Sequence, residues 1–465
     1  MNRQPTIPGR RLPRAVRRFL HTEAAGGVIL LVAAVAALVW ANSPWQDSYG
    51  TVWHTELTIG LGRWSITEDL QHWINDALMA VFFFVVGLEI KRELVKGDLR
   101  DPRAAAVPAV AALGGMLVPA LIYVTFNAGQ PGSDGWGIPM ATDIAFAVGL
   151  LALLGPRVPA SLKLFLLTLA IVDDIGAIVV IAAFYSAGLD VVAALTAVLL
   201  VIVIVVLIRS QVAWLPIYVA LAASVWLATY ASGIHATIAG VVLGLLAPAR
   251  QLAPATVARE WASHLDDEPA PADMATMTRL ARASVSPAER FEHALHPWTS
   301  FAIVPLFALA NAGVTLRADS FDSPGATSVA FGIVGGLVVG KTVGITGATW
   351  LAVRTGIGRL PEGATWPSVV GVAAVAGIGF TVSLFIAGLA FGAGSAIEDA
   401  AKIGILAASA LAATIGAALL LRSQVRSNRA TDPRPRSQER SALGRRGGGL
   451  EVFEQTVAED IERQV

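Results

Sequence analysis

The chain has 465 residues, of which 55% are apolar and 15% charged, with a mean hydropathy of +0.64. These values lie outside the range of ordinary soluble domains and point to an all-α polytopic membrane protein. Cysteine is absent, which excludes a disulfide framework, a thiolate metal site and a cysteine nucleophile, and the net charge of zero hides an uneven spread of arginines over loops and tails.

Residues 1–23 form a basic N-terminus with Arg3, Arg10, Arg11, Arg14, Arg17 and Arg18. The uncharged run at 24–41 is long for a signal peptide and reads as a retained first helix. Further apolar runs predict spans at 70–88, 104–126, 137–154, 162–186, 191–208, 213–231, 234–247, 298–314, 328–353, 367–391 and 402–421. That is a twelve-helix domain over 24–422. Alternate loops are basic, from Lys91, Arg92, Lys96, Arg100 and Arg103 through Arg157, Arg209 and the group Arg250 to Arg290, to Arg354 and Arg359. The opposite loops hold only Arg63, Arg317 and the boundary residue Lys402, so the basic side is assigned to the cytoplasm and both termini with it.

Three connecting segments are long. Residues 51–67 alternate apolar and polar around Gly60-Leu61-Gly62 and read as a small external β-hairpin, with Trp53 and Trp64 as alternative interface anchors. The loop 248–289 and the stretch 423–449 are rich in Ala, Pro and charge, or in Arg, Ser and Gly; both read as cytoplasmic and largely disordered. The tail 423–465 ends in a short amphipathic helix predicted at 450–465.

Chemistry concentrates in the fifth span, LKLFLLTLAIVDDIGAIVVIAAFYS, where Asp173 and Asp174 occupy the twelfth and thirteenth of twenty-five positions and so lie near the bilayer midplane. Each carboxylate there costs roughly 2.5 to 3.5 kcal/mol on insertion scales, and carboxylates kept at that cost mark ion or proton pathways. The bland alternative is a pair satisfied by neighbouring hydroxyls or by one cation. The fourth span carries Pro139 followed by Thr142 and Asp143, and the eleventh carries Gly377-Ile378-Gly379; each is a candidate break in a helix. Spans 3 to 5 and 10 to 12 are then triplets of opposite orientation with an interrupted middle helix, the pattern of inverted repeats in secondary transporters. Lys341, the only basic residue deep in a span, is the natural counter-ion for an aspartate or for exposed carbonyl ends. Asp76 lies nearer a span end and carries no functional weight, and His235 reads as a satisfied interfacial histidine. Glu292, His293 and His296 open the ninth span, and the histidines titrate near neutrality.

Several blocks together resemble the NhaA-type bacterial sodium/proton antiporters over about residues 19–422: INDALMAVFFFVVGLEIKREL, PMATDIAFAVGLLALLG, LAIVDDIGAI, SGIHATIAGV, HALHPW, ALANAG and GIGFTVSLFIAGLAFG. The resemblance implies an inner-membrane antiporter, not an enzyme and without a cofactor, that exports Na+ or Li+ against protons. It implies that Asp173 and Asp174 bind the metal ion and protons, with Thr142 as an oxygen ligand, and that Asp143 and Lys341 balance charge at a helix crossing. It further implies a cytoplasmic pH-response cluster of Glu89, Arg92, Glu93, Glu292, His293 and His296, a homodimer through the hairpin, and two protons per Na+; the bilayer, and no nucleic acid, is the expected partner. The chain departs from the family pattern in Thr342, where proline is often seen, and in the length of the loop 248–289 and of the tail. Two rival readings belong to other classes. A proton-coupled solute symporter wants a larger pocket, and an intramembrane aspartyl protease wants a Gly-x-Gly-Asp block, whereas Gly377-Ile378-Gly379 is followed by Phe380.

Overall fold

The computed structural model describes residues 14–61, 64–186, 188–212, 214–251, 254–263, 270–316, 318–392 and 394–431. The protein is an all-α membrane bundle with one small hairpin. Among the described residues, seven helices are long and apolar enough to cross a membrane, and nine if two bent pairs each count as one span. The bent pairs are Ala25–Ala41 with Gln46–Trp53 (117°) and Trp366–Val375 with Phe380–Phe391 (46°). The predicted runs at 213–231, 234–247 and 298–314 fall on the shorter helices Leu215–Ala231, Thr237–Leu246 and Val304–Asn311. The ten residues of Thr237–Leu246 rise only about 15 Å, half of a hydrocarbon core, so apolar composition overstates the length of that element, whereas Val304–Asn311 continues directly from Pro287–Trp298 through Thr299–Ile303.

Helix starts follow local chemistry. The Asp190 carboxylate accepts from Val192 N (2.8 Å) and Ala193 N (3.1 Å) at the head of Val191–Arg209, and Ser286 with Glu289 forms a capping box before Pro287–Trp298. The Pro102–Asn127 helix packs along Lys341–Arg354 with the two backbones in contact: a Cβ on Gly114 would lie 2.4 Å from the Gly344 carbonyl oxygen. This close approach draws Lys341 into the core, where it is fully buried.

The hairpin pairs β1 (Glu56–Leu61) with β2 (Trp64–Asp69), antiparallel, from Glu56↔Asp69 to Leu61↔Trp64. It therefore begins later than the predicted 51–67. Thr51 to Trp53 instead close the Gln46–Trp53 helix, and Trp53 is buried against Trp40 and Tyr49, at 6.4 and 6.1 Å between ring centroids, rather than anchored at an interface. Gly62 and Arg63 lie outside the described residues.

The loop 248–289 departs from its predicted disorder. It carries helices Ala255–Ser263 and Pro271–Ala283, and its last residues open Pro287–Trp298. Alanine-rich stretches favour helix, and Pro271 and Pro287 sit in first turns, where a missing N–H costs nothing. The chain divides into a unit of residues 1–420 and a second of 421–465, of which 421–431 are described and helical. The helix predicted at 450–465 lies outside the described residues.

Candidate functional site

The Ala160–Phe184 helix is uninterrupted and buries Asp173 and Asp174 near its middle. Facing them is a break: a 3-10 helix, Ser133–Met140, stops at extended residues 141–143, and an α-helix resumes at Ile144–Leu153. A second break, at residues 376–379, separates Trp366–Val375 from Phe380–Phe391. The two breaks touch through one backbone and one side-chain hydrogen bond: Asp143 N donates to Ile378 O (2.7 Å) and the Thr142 hydroxyl Oγ1 to Ala376 O (2.9 Å). Proline at 139 and glycines at 377 and 379 supply what such interruptions need, a lost N–H and a permissive backbone.

Charges sit at the ends thus exposed. Asp143 is the N-cap of Ile144–Leu153: its Oδ1 accepts from Phe146 N at 3.0 Å. Its Oδ2 accepts from Thr381 N (3.0 Å) and Thr381 Oγ1 (2.6 Å) in the first turn of Phe380–Phe391. One carboxylate thus caps two helix N-termini, each worth roughly half a positive charge. Lys341 meets the opposite polarity. Its ammonium donates to Met140 O at the C-terminal end of the 3-10 helix, to Thr142 Oγ1 (3.0 Å) and to Asp173 Oδ2 (2.5 Å).

The two aspartates differ. Asp173 is held by Lys341, whereas Asp174 faces a cavity of about 60 Å³ whose lining also includes Glu89, Thr142, Asp143, His296, Ser300 and Thr381. Asp173 Oδ1 and Asp174 Oδ1 are buried and have no hydrogen-bond partner among the described residues. Orphaned carboxylate oxygens suit a small hard cation or a proton, both of which bind oxygen without requiring a donor in the protein.

The six residues of the predicted pH cluster are not all brought together. Glu89 and His296 line the cavity. Arg92 pairs with Glu292 and lies 3.6 Å from Glu93, and Lys96 pairs with Glu289 at 2.9 Å. Burial pushes the Glu292 carboxyl above the ordinary range even though the Arg92 charge pulls the other way. For Glu289 burial also pushes upward, but hydrogen bonds from Lys96 and Ser286 outweigh it and hold the carboxyl low. His293 is exposed and stands apart from the cavity. Asp76 is half-buried within a π-turn, Ile74–Leu78, and His235 Nε2 lies 2.5 Å from Tyr185 O. Thr381, the second hydroxyl at the crossing, was not singled out in the sequence; its signal is its place one residue beyond Gly379-Phe380, where a helix restarting after a glycine pair has free N–H groups.

A membrane bundle in which two discontinuous helices cross beside paired, buried carboxylates has the architecture of an ion-coupled secondary transporter. Residues 17–420 match the family described as Na+/H+ antiporter 1. The chain is 48% identical over 427 residues to a Na+/H+ antiporter NhaA of Rhodopirellula baltica, covering 90% of this chain and 96% of the relative. It is 45% identical over 430 residues to Na+/H+ antiporter NhaA 2 of Sorangium cellulosum (89% and 92% covered) and 44% identical over 463 residues to NhaA 3 of Acidiphilium cryptum (96% of each). The chain belongs to the Na+/H+ antiporter 1 family and is a transporter, not an enzyme.

Proposed function

We propose that the protein exports Na+ or Li+ from the bacterial cytoplasm in exchange for protons, serving sodium and pH homeostasis. The observation that carries this reading is the unequal pair: Asp173 held by Lys341, and Asp174 beside it, in the cavity lining and with one buried oxygen that has no hydrogen-bond partner among the described residues. Exchange is competition. The ion and the protons seek the same oxygens of Asp173 and Asp174, with Thr142 as a further oxygen, so loading one empties the other. Two protons against one Na+ would move net charge, and the membrane potential would then contribute about 2.3 kcal/mol per charge per 100 mV.

In this reading Asp143 and Lys341 compensate the helix ends at the crossing, and Glu89, Arg92, Glu93, Glu292, His293 and His296 tune the response to pH. The chain is read as a 24–422 transport domain of twelve spans, with inverted repeats at spans 3 to 5 and 10 to 12. A basic N-terminus, the loop 248–289 and the 423–465 tail lie in the cytoplasm, on the side of the basic loops. The hairpin joins two copies into a dimer. A cavity of about 60 Å³ is too small for an organic solute, which argues against a symporter. Adjacent aspartates on one helix, one of them bound to a lysine, argue against a protease dyad. The test is proton flux in reconstituted vesicles with Na+, Li+, K+ or no added cation: flux with Na+ and Li+ supports the reading, and flux indifferent to cation ends it.

A further inference from the structure

Between Pro287–Trp298 and Val304–Asn311 the chain runs as a π-turn, Thr299–Ile303. The Val304 N–H there reaches back five residues to Thr299 O. In an α-helical register that N–H would serve Ser300 O. In the π register the partner of Ser300 O would be residue 305, which is a proline and has no N–H. With the Val304 N–H turned to Thr299 O and no N–H at Pro305, the Ser300 carbonyl has neither its α-helical partner nor its π-helical one.

Ser300 lines the same cavity as Asp174. Thr299 Oγ1 donates to His296 O at 2.9 Å, whereas Ser300 Oγ makes no hydrogen bond among the described residues. Gly26, also in the cavity lining, packs against Ser300: a Cβ there would lie 3.1 Å from Ser300 Cβ and 3.3 Å from Ser300 O. Glycine at 26 leaves that oxygen uncovered. A partnerless carbonyl in a low-dielectric cavity is costly unless a donor or a cation meets it, and π-turns and unwound carbonyls recur where membrane proteins strip the hydration shell from ions.

We propose that Ser300, through its carbonyl and its hydroxyl, is an oxygen station for Na+ in the cavity that replaces part of the ion's water before Asp174 binds it; this rests on the exchange reading above. The cavity has room for an ion with a few waters, so the station and Asp174 act on one hydrated ion.

Three variants address the same oxygens by different routes. Pro305→Ala supplies an N–H to the Ser300 carbonyl, Ser300→Ala removes the hydroxyl, and Gly26→Ala covers the carbonyl. In reconstituted vesicles, Pro305→Ala and Ser300→Ala should each raise the Na+ concentration for half-maximal exchange, by about fivefold to tenfold for one lost oxygen contact, with a smaller fall in maximal rate. In detergent, the rise in melting temperature on adding Na+ should shift to correspondingly higher Na+ in the same variants. If Pro305→Ala melts below wild type without Na+, Ser300→Ala and Gly26→Ala decide. Wild-type half-maximal Na+ in these two, or in all three, overturns the station while leaving the exchange reading standing. A wild type without cation-driven proton flux overturns both.

Discussion

The Lys341 ammonium stands 2.5 Å from Asp173 Oδ2, and neither group is reached by solvent. Removing one partner of a buried ion pair leaves the other charge uncompensated, at a cost of about 3 to 5 kcal/mol. Lys341→Ala should therefore lower the melting temperature markedly, and Lys341→Arg should retain part of the stability, since a planar guanidinium keeps the charge but not the shape that reaches Met140 O, Thr142 and Asp173 together. Thermal unfolding in detergent, paired with the proton-to-sodium ratio in vesicles, checks this. A Lys341→Ala protein that melts like wild type yet loses one transported proton would make Lys341 a proton carrier rather than a charge compensator.

Asp174→Asn should abolish Na+-driven proton flux while the protein inserts and folds, because an amide cannot trade a proton for an ion. Asp174 Oδ1 has no hydrogen-bond partner to lose among the described residues, so the variant should melt within a few degrees of wild type. Asp173→Asn should also stop exchange, and should in addition cost stability through Lys341. Sodium-driven flux at the wild-type rate in both variants would remove the central claim about the pair.

Much of this site was legible before any coordinates. Two aspartates at the centre of an apolar run, a proline beside Thr142-Asp143, a glycine pair and one lysine at membrane depth are each costly in lipid, and cost is what makes a residue conspicuous. Less legible was what depends on register and direction. Alternation put the hairpin at 51–67, but whether Trp53 belongs to a strand or to the preceding helix depends on its burial against Trp40 and Tyr49. The loop 248–289 has the composition of a disordered segment, yet its Ser286-x-x-Glu289 box and first-turn prolines are helix signals that composition averages away. The orphaned Ser300 carbonyl has no signal except Pro305, whose consequence depends on a π-turn that no spacing announces.

Glu292 gives a pH-dependent prediction with a definite sign. Its folded carboxyl titrates above the ordinary glutamate value of about 4.3, chiefly because it is buried, so between those two values the folded state holds more protons than the unfolded one. Stability then falls as pH rises through that window. Glu292→Gln removes the effect: relative to the variant, wild type should lose melting temperature on going from about pH 4 to a pH above the raised value, and change no further beyond it. The same substitution should displace the midpoint of the pH–activity profile, because Arg92 no longer gains an anionic partner as pH rises. Parallel melting curves at all pH values would show that Glu292 titrates as an ordinary surface group.

The hairpin should matter for assembly and not for transport. None of the cavity-lining residues lies in it, and its strands are joined to each other from Glu56↔Asp69 to Leu61↔Trp64. Deletion of residues 56–67 is preferable to a longer cut, because Trp53 is buried, Glu68 is hydrogen-bonded by Tyr230, and Asp69 caps the following helix through His72 N (2.8 Å). The shortened protein should run as a monomer in detergent and still exchange Na+ for protons. A dimer that survives the deletion, or a wild type that is already monomeric, would show that the strands have another task.

Asp143 offers the sharpest separation of stability from transport. Its carboxylate takes three donors, Phe146 N on Oδ1 and Thr381 N and Oγ1 on Oδ2, and so holds the starts of two helices together. In Asp143→Asn one of those oxygens becomes an NH₂ group. If the amide keeps its oxygen toward Phe146, its NH₂ group faces the Thr381 backbone N–H, even though the Thr381 hydroxyl can turn to accept from it; the reverse rotamer puts it against Phe146 N. Either way a donor is turned on a donor, and the negative charge that both helix N-termini attract is gone. Hydrogen bonds to a charged group are worth about 1.5 to 3 kcal/mol, so the variant should melt well below wild type. Thr381→Val removes only the hydroxyl and should cost less. Because both changes act on the same oxygen, the double variant should be less destabilised than the sum of the singles, by about 1 kcal/mol or more. Folded Asp143→Asn protein, assayed below its melting temperature, should still exchange Na+ for protons, since the ion's own carboxylates are intact. Additive melting effects in the cycle would mean that Asp143 and Thr381 act separately, and a well-folded Asp143→Asn protein with no exchange would move Asp143 from the scaffold into the ion path.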